Sequence, residues 1–154
     1  MDQPPLRFAL YQPDIPQNVG AAIRLSACLG LGMDIIEPCG FPFNDRKIKQ
    51  AAMDYMTLVN YTRHSSWDRF YEDKEGARVV LMTTKASVPY TDFKFQRGDI
   101  LLAGRESAGV PDDVHDAVDG RVIIPMHGEA RSLNIINASA MILGEALRQI
   151  TREQ

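Results

Sequence analysis

The chain has 154 residues, 45% of them hydrophobic and 24% charged, with a formal net charge of −3. This length allows one domain with a sizeable core, and the composition is that of an ordinary soluble globular protein. No apolar run approaches a membrane span, and Met1-Asp2-Gln3-Pro4-Pro5 does not read as a signal peptide. The acidic balance argues against broad nucleic-acid affinity without excluding a local basic site.

Strand and helix signals alternate along the chain. Leu6–Tyr11 reads as a strand, followed by a helix after Pro16. Residues 33–36 read as a second strand, closed by Glu37-Pro38, and 45–53 as a helix with Asp45 as N-cap. A short strand is expected over 58–61, then a helix capped by Ser66 and running to Asp73. Strands are expected at 78–83, 100–103 and 121–124, with a short helix at 111–118 and a long one from Leu133 to Arg152. Apolar strands separated by helices indicate an α/β domain with a parallel sheet covered on both faces. Cys28 and Cys39 lack metal spacing and read as free core thiols in a reducing cytosol.

Arg24 is the one charged residue between Ile15 and Met33. A guanidinium buried alone costs several kcal/mol, on the order of 3–5. Arg24 must therefore pair with an acid, reach solvent at an edge, or meet an anion from outside. In the last helix, Ile136, Ala140, Leu143, Leu147 and Ile150 form an apolar stripe, widened by Ile135, Ile142 and Ala146. That face can serve one broad core or, in part, a second chain. Arg46-Lys47-Ile48-Lys49 is the dense basic cluster: solvated first turns of a helix, or a phosphate-contacting edge together with Arg63 and His64.

Ligands of open α/β sheets bind beyond the carboxyl ends of the strands. Three loops leave such ends: Thr83-Thr84-Lys85, the run Gly104-Arg105-Glu106-Ser107-Ala108-Gly109-Val110-Pro111, and the run from Pro125 to Asn134. Glycine permits close backbone approach to a ligand. Glu106 can face a ligand or hold its own loop by accepting backbone N–H groups. Ser132 is a candidate cap where the last helix begins. His64, His115 and His127 have no metal spacing, and no serine sits in a nucleophile elbow. No metal is expected.

Taken together, Pro13-Asp14-Ile15-Pro16-Gln17-Asn18-Val19-Gly20 leading to Arg24, the loop from Gly104 to Pro111, and Ile124-Pro125-Met126 with Arg131-Ser132-Leu133-Asn134 resemble the three motifs of the SPOUT RNA methyltransferases. Their order and spacing are similar to the small tRNA 2′-O-methyltransferases that modify the wobble cytidine or uridine of the anticodon. Asp54-Tyr55 and Thr83-Thr84-Lys85 match as well. The resemblance implies a C-terminal trefoil knot, a homodimer with its active site at the subunit interface, and cytoplasmic action on a tRNA anticodon stem-loop.

The resemblance further implies S-adenosylmethionine as cofactor, held at Met82, Gly104, Ile124 and Ser132 with Met126 and Leu133 nearby. Arg24 matches the catalytic arginine; Asn18, Arg46, Lys47, Glu106 and Asn134 are candidate substrate contacts. The alternatives are a ribosomal RNA substrate or a catalytically silent RNA-binding module. The second motif more often reads Phe-Gly-Pro-Glu, where this chain has Ala103-Gly104-Arg105-Glu106. The first more often has Glu and Thr where this chain has Asp14 and Val19.

Overall fold

The computed structural model describes residues 3–43, 46–130 and 133–152. Six parallel strands form one sheet: β1 (Arg7–Tyr11), β2 (Gly32–Ile36), β3 (Tyr61–His64), β4 (Val79–Met82), β5 (Ile100–Ala103) and β6 (Gly120–Val122). Their spatial order is β3-β2-β1-β5-β4-β6. The helices are α1 (Pro16–Leu29), α2 (Arg46–Ala52), α3 (Trp67–Asp73), α4 (Asp112–Ala117) and α5 (Ile135–Arg152). No helix among the described residues is long and apolar enough to cross a membrane.

The strand period of two divides the core between the sheet faces. Phe8, Leu10, Met33, Ile35, Val80 and Leu101 meet residues of α1, α2 and α5. Ala9, Tyr11, Ile36, Leu81 and Leu102 meet Phe70 of α3 and Val114 of α4. This double coverage explains why the central strands read as continuous apolar runs.

Two strands differ from expectation. Residues 53–57 form a 3-10 turn rather than leading directly into a strand, and Leu58 closes it while remaining 70% exposed. β3 therefore begins at Tyr61, three residues later than its expected start at Leu58. It is an edge strand whose only buried residue, His64, is polar, so no apolar run announces it. β6 ends at Val122, and Ile123 pairs with Pro89 through an isolated bridge.

His64 lies buried between two carboxylates, with Nε2 2.8 Å from Asp34 Oδ1 and Nδ1 3.1 Å from Asp73 Oδ2. Arg7 Nε donates to Asp34 Oδ2 at 2.7 Å, joining three neighbouring strands. His64 is thus tied into the fold, which removes it from the expected RNA edge. Cys28 is exposed and Cys39 half-buried, so neither is the core thiol expected. The Ser66 cap is present, its side chain accepting from the Arg69 N–H at 3.1 Å. Asp45, the expected cap of α2, lies outside the described residues.

The pairing of α1 with α2 depends on a close backbone approach. A Cβ on Gly20 would meet Ala51 Cβ at 2.5 Å and the Ile48 carbonyl oxygen at 2.6 Å. Gly20→Ala should force the helices apart and destabilise the protein by about 1–3 kcal/mol. Urea unfolding measures this; an unchanged midpoint would show that the helices separate freely.

Candidate active site

Three strand ends meet at the carboxyl edge of the sheet. The chain leaves β4 through Met82-Thr83-Thr84, β5 through Gly104-Arg105-Glu106, and β6 through Ile124-Pro125-Met126. With the start of α1 and the first turns of α5 they enclose a cleft of about 490 Å³. This size is typical of small-molecule sites, roughly 300–1,000 Å³.

Of the residues singled out from sequence, Met82, Gly104, Ile124, Met126, Leu133, Asn18, Glu106 and Asn134 line this cleft. Ser132 lies outside the described residues. Arg24, Arg46 and Lys47 do not line it. Sequence reasoning missed Ile15 and the α5 residues Ala138, Ser139 and Ile142. Ser139, a buried hydroxyl within an apolar helix face, was the available signal for the last group.

The loop after β5 is narrow and tied at both ends. The Arg105 N–H donates to the Gly109 carbonyl at 2.9 Å, and Gly109 returns the bond at 2.8 Å. A Cβ at position 104 would stand 2.8 Å from the Gly109 carbonyl carbon, so only glycine allows this closure. Glu106 then reaches across to α1. Its Oε1 accepts the Asp14 N–H at 3.2 Å and its Oε2 accepts Asn18 Nδ2 at 3.0 Å. Ser107 Oγ donates to Asp14 Oδ2. Glu106 thus takes a structural role that extends beyond its own loop to the start of α1, while also lining the cleft.

Burial pushes the Glu106 carboxyl above the usual carboxylate range, and the neighbouring Asp14 side chain adds to this, while the Asp14 N–H and the Asn18 amide oppose it. Interaction of its side chain with the Glu106 carboxyl, and the Ser107 hydroxyl it accepts from, hold Asp14 below that range. Asn134 caps α5: its Oδ1 accepts the N–H of Ile136 at 2.9 Å and of Asn137 at 3.2 Å. Its carbonyl oxygen is thereby committed to the cap.

Arg24 is exposed on α1, although its segment reads as a buried helix. The buried residues of that helix are Val19, Gly20, Ala22, Ile23 and Ser26. Of the three possibilities open to Arg24, the structure takes solvent: no carboxylate among the described residues pairs with it. Its Nη1 sits 3.4 Å from Met53 Sδ and its Cζ 5.4 Å from the Tyr55 ring centroid. Met53 has a φ of 55°, a conformation uncommon outside glycine, which turns the chain so that both side chains reach the guanidinium.

Fold and cleft together define a doubly wound α/β domain with a ligand site at its carboxyl edge. The SpoU rRNA methylase family model matches residues 5–144. The chain is 57% identical over 145 residues to the tRNA (cytidine(34)-2'-O)-methyltransferase of Beijerinckia indica, covering 93% of this chain and 91% of that protein. A solved structure concerning 2-OH methylation of C/U34 on tRNA superposes with a TM-score of 0.91 at 38% identity, covering 96% and 97% of the two chains. The methyltransferase AviRb of Streptomyces viridochromogenes, in complex with AdoMet, superposes with a TM-score of 0.88 at 27% identity, covering 97% of this chain and 62% of that one. The chain belongs to the SpoU rRNA methylase family.

Glu106 and Asp14 give the fold opposite pH dependences. A raised carboxyl stabilises fully below its unfolded pKa, and that contribution is lost as pH rises through the folded value. Asp14 contributes above its unfolded pKa and loses this as pH falls through its lowered value. The stability difference between wild type and Glu106→Gln should thus shift against wild type as pH climbs past the ordinary carboxylate range. Urea unfolding across pH tests this, and a difference independent of pH would refute the raised carboxyl.

Proposed function

We propose that this protein transfers a methyl group from S-adenosylmethionine to the ribose 2′-hydroxyl of the wobble nucleotide, cytidine or uridine, in a tRNA anticodon loop. The carrying observation is the cleft, where strand-end loops from all three motifs converge. Near-full-length likeness to a tRNA (cytidine(34)-2'-O)-methyltransferase supports tRNA over ribosomal RNA as substrate. We take the chain as one methyltransferase domain working in the cytoplasm.

The residues of the cleft suit this cofactor. Leu81, Ile124, Met126 and Ile142 offer apolar surface, and Thr83, Asn18 and Asn134 offer polar groups. The N–H groups of Ile124 and Met126 find no partner among the described residues, which leaves donors for a ligand. Met82, Gly104, Ile124, Met126, Ser132 and Leu133 would hold S-adenosylmethionine. When bound, it supplies an activated methyl group on a sulfonium.

A ribose hydroxyl is a poor nucleophile and develops negative charge as it attacks. Arg24 is suited to hold the adjacent phosphate in its planar fork and to stabilise the developing alkoxide. A guanidinium keeps its proton at neutral pH, so a phosphate oxygen or water takes the hydroxyl proton. Placement of the nucleotide supplies much of the remaining catalysis, up to about 7–11 kcal/mol of the barrier. Asn18 and Asn134 shape the ribose end of the cleft, and Glu106 acts on the substrate through the loop it positions. Arg46 and Lys47, exposed on α2, belong to the face that meets the anticodon stem-loop.

A second copy of the chain would complete the site. Arg24 does not line the cleft of its own chain. On α5, Ile136, Ala140 and Leu147 are half-buried, and Met141 is 44% exposed, which leaves apolar surface for a partner. We take the segment after β6 to form the trefoil knot; from β6, at the sheet edge, α5 returns to pack on α1 and β5.

Incubation with labelled S-adenosylmethionine and tRNA, followed by nuclease digestion and mass spectrometry, should place a 2′-O-methyl at the wobble nucleotide. Arg24→Ala should abolish transfer, and Arg24→Lys should lose roughly 100-fold or more with the loss of its donor fork. Methyl on ribosomal RNA instead, or normal turnover by Arg24→Lys, would contradict this reading.

A further inference from the structure

Arg105 enters the cleft with its hydrogen bonds unmade. Elsewhere Arg7, Arg63, Arg78 and Arg148 are bonded to carboxylates, and Arg121 to backbone carbonyls. Arg105 is half-buried and lines the cleft, yet its guanidinium makes no hydrogen bond or ion pair among the described residues. Its Nε is buried without a partner. A buried donor atom left in this state is unfavourable unless a ligand supplies the acceptor.

The backbone beneath it is fixed. Reciprocal hydrogen bonds with Gly109 hold Arg105 on one side, and Glu106 is anchored to α1 on the other. The Arg105 charge favours the ionised form of Asp14, without a hydrogen bond or ion pair to it among the described residues. The Asp14 carboxylate accepts from Ser107 through Oδ2 instead, and its Oδ1 is also buried and unpaired. The arrangement is a rigidly mounted, unspent donor fork facing a ligand site.

We propose that Arg105 is an anion-binding residue of the cleft, holding a carboxylate or phosphate oxyanion of a bound ligand through its guanidinium fork. Two groups in the proposed reaction carry such oxygens: the amino-acid carboxylate of S-adenosylmethionine and a phosphate flanking the target nucleotide. The inference rests on the proposed reading of the cleft and adds a recognition role to it.

Calorimetry with S-adenosylmethionine and tRNA retention at several salt concentrations, on wild type, R105A and R105K, distinguish the two sources. If the carboxylate is held, R105A weakens cofactor binding roughly 10- to 100-fold, as expected for a hydrogen bond to a charged group. If the phosphate is held, cofactor binding is unchanged, tRNA affinity falls, and the log–log salt slope shrinks by about 0.7–0.9. R105K, with charge but no fork, falls between R105A and wild type.

Unchanged constants in both arms overturn the inference, even if R105A has a lower melting temperature; that pattern would assign Arg105 to internal pairing with Asp14. If R105A does not fold, R105K decides, and wild-type constants in it overturn the proposal. Failure of the wild-type protein to bind S-adenosylmethionine would overturn the underlying reading of the cleft, a distinguishable result.

Discussion

The site depends on one carboxyl group. Glu106 is the link between the loop after β5 and the start of α1, segments 88 residues apart at its contact with Asn18. Without that link, the loop would be secured only by the Arg105–Gly109 hydrogen bonds and the Ser107–Asp14 contact. With it, the two sides of the cleft share a fixed separation. A carboxyl suits this task because each oxygen can accept a different donor, one from backbone and one from side chain. The task requires burial, and burial accounts for the raised proton affinity of Glu106.

The arginines have contrasting surroundings. Some are paired and hold the fold: Arg7 joins the strand network through Asp34, and Arg78 is bonded to Asp99. Arg24 and Arg105 lack acidic partners. Arg24 rests on an aromatic ring and a sulfur, soft neighbours that orient a guanidinium without neutralising it. The proposed anionic substrate would meet both groups uncompensated, which would reconcile RNA as a partner with a chain of net charge −3.

Much of this was legible in the sequence because the central strands are buried on both faces. Val79–Met82 and Ile100–Ala103 read as strands for that reason, and the loops leaving them identified the cleft. β3 was misplaced because Tyr61–His64 carries polar residues on an edge, where pairing with β2 sets the register. The end of α2 was hidden differently: Met53 adopts a positive φ without a glycine to announce it. The environment of Arg24 stayed open, since sequence could restrict it to acid, solvent or external anion but could not place Tyr55 against it. The roles of Glu106 and Asn134 likewise emerged only when distant segments were brought together, because a clasp and a cap are defined by the donors they meet.

The most direct test of this account is a double-mutant cycle on Glu106 and Asn18, read as S-adenosylmethionine affinity by calorimetry. If Glu106 sets the cleft through its bond to Asn18, Glu106→Gln and Asn18→Ala each weaken binding, and together they cost less than the sum of their separate effects. Wild-type affinity in both single variants, or strictly additive losses, would contradict the claim that this clasp builds the site.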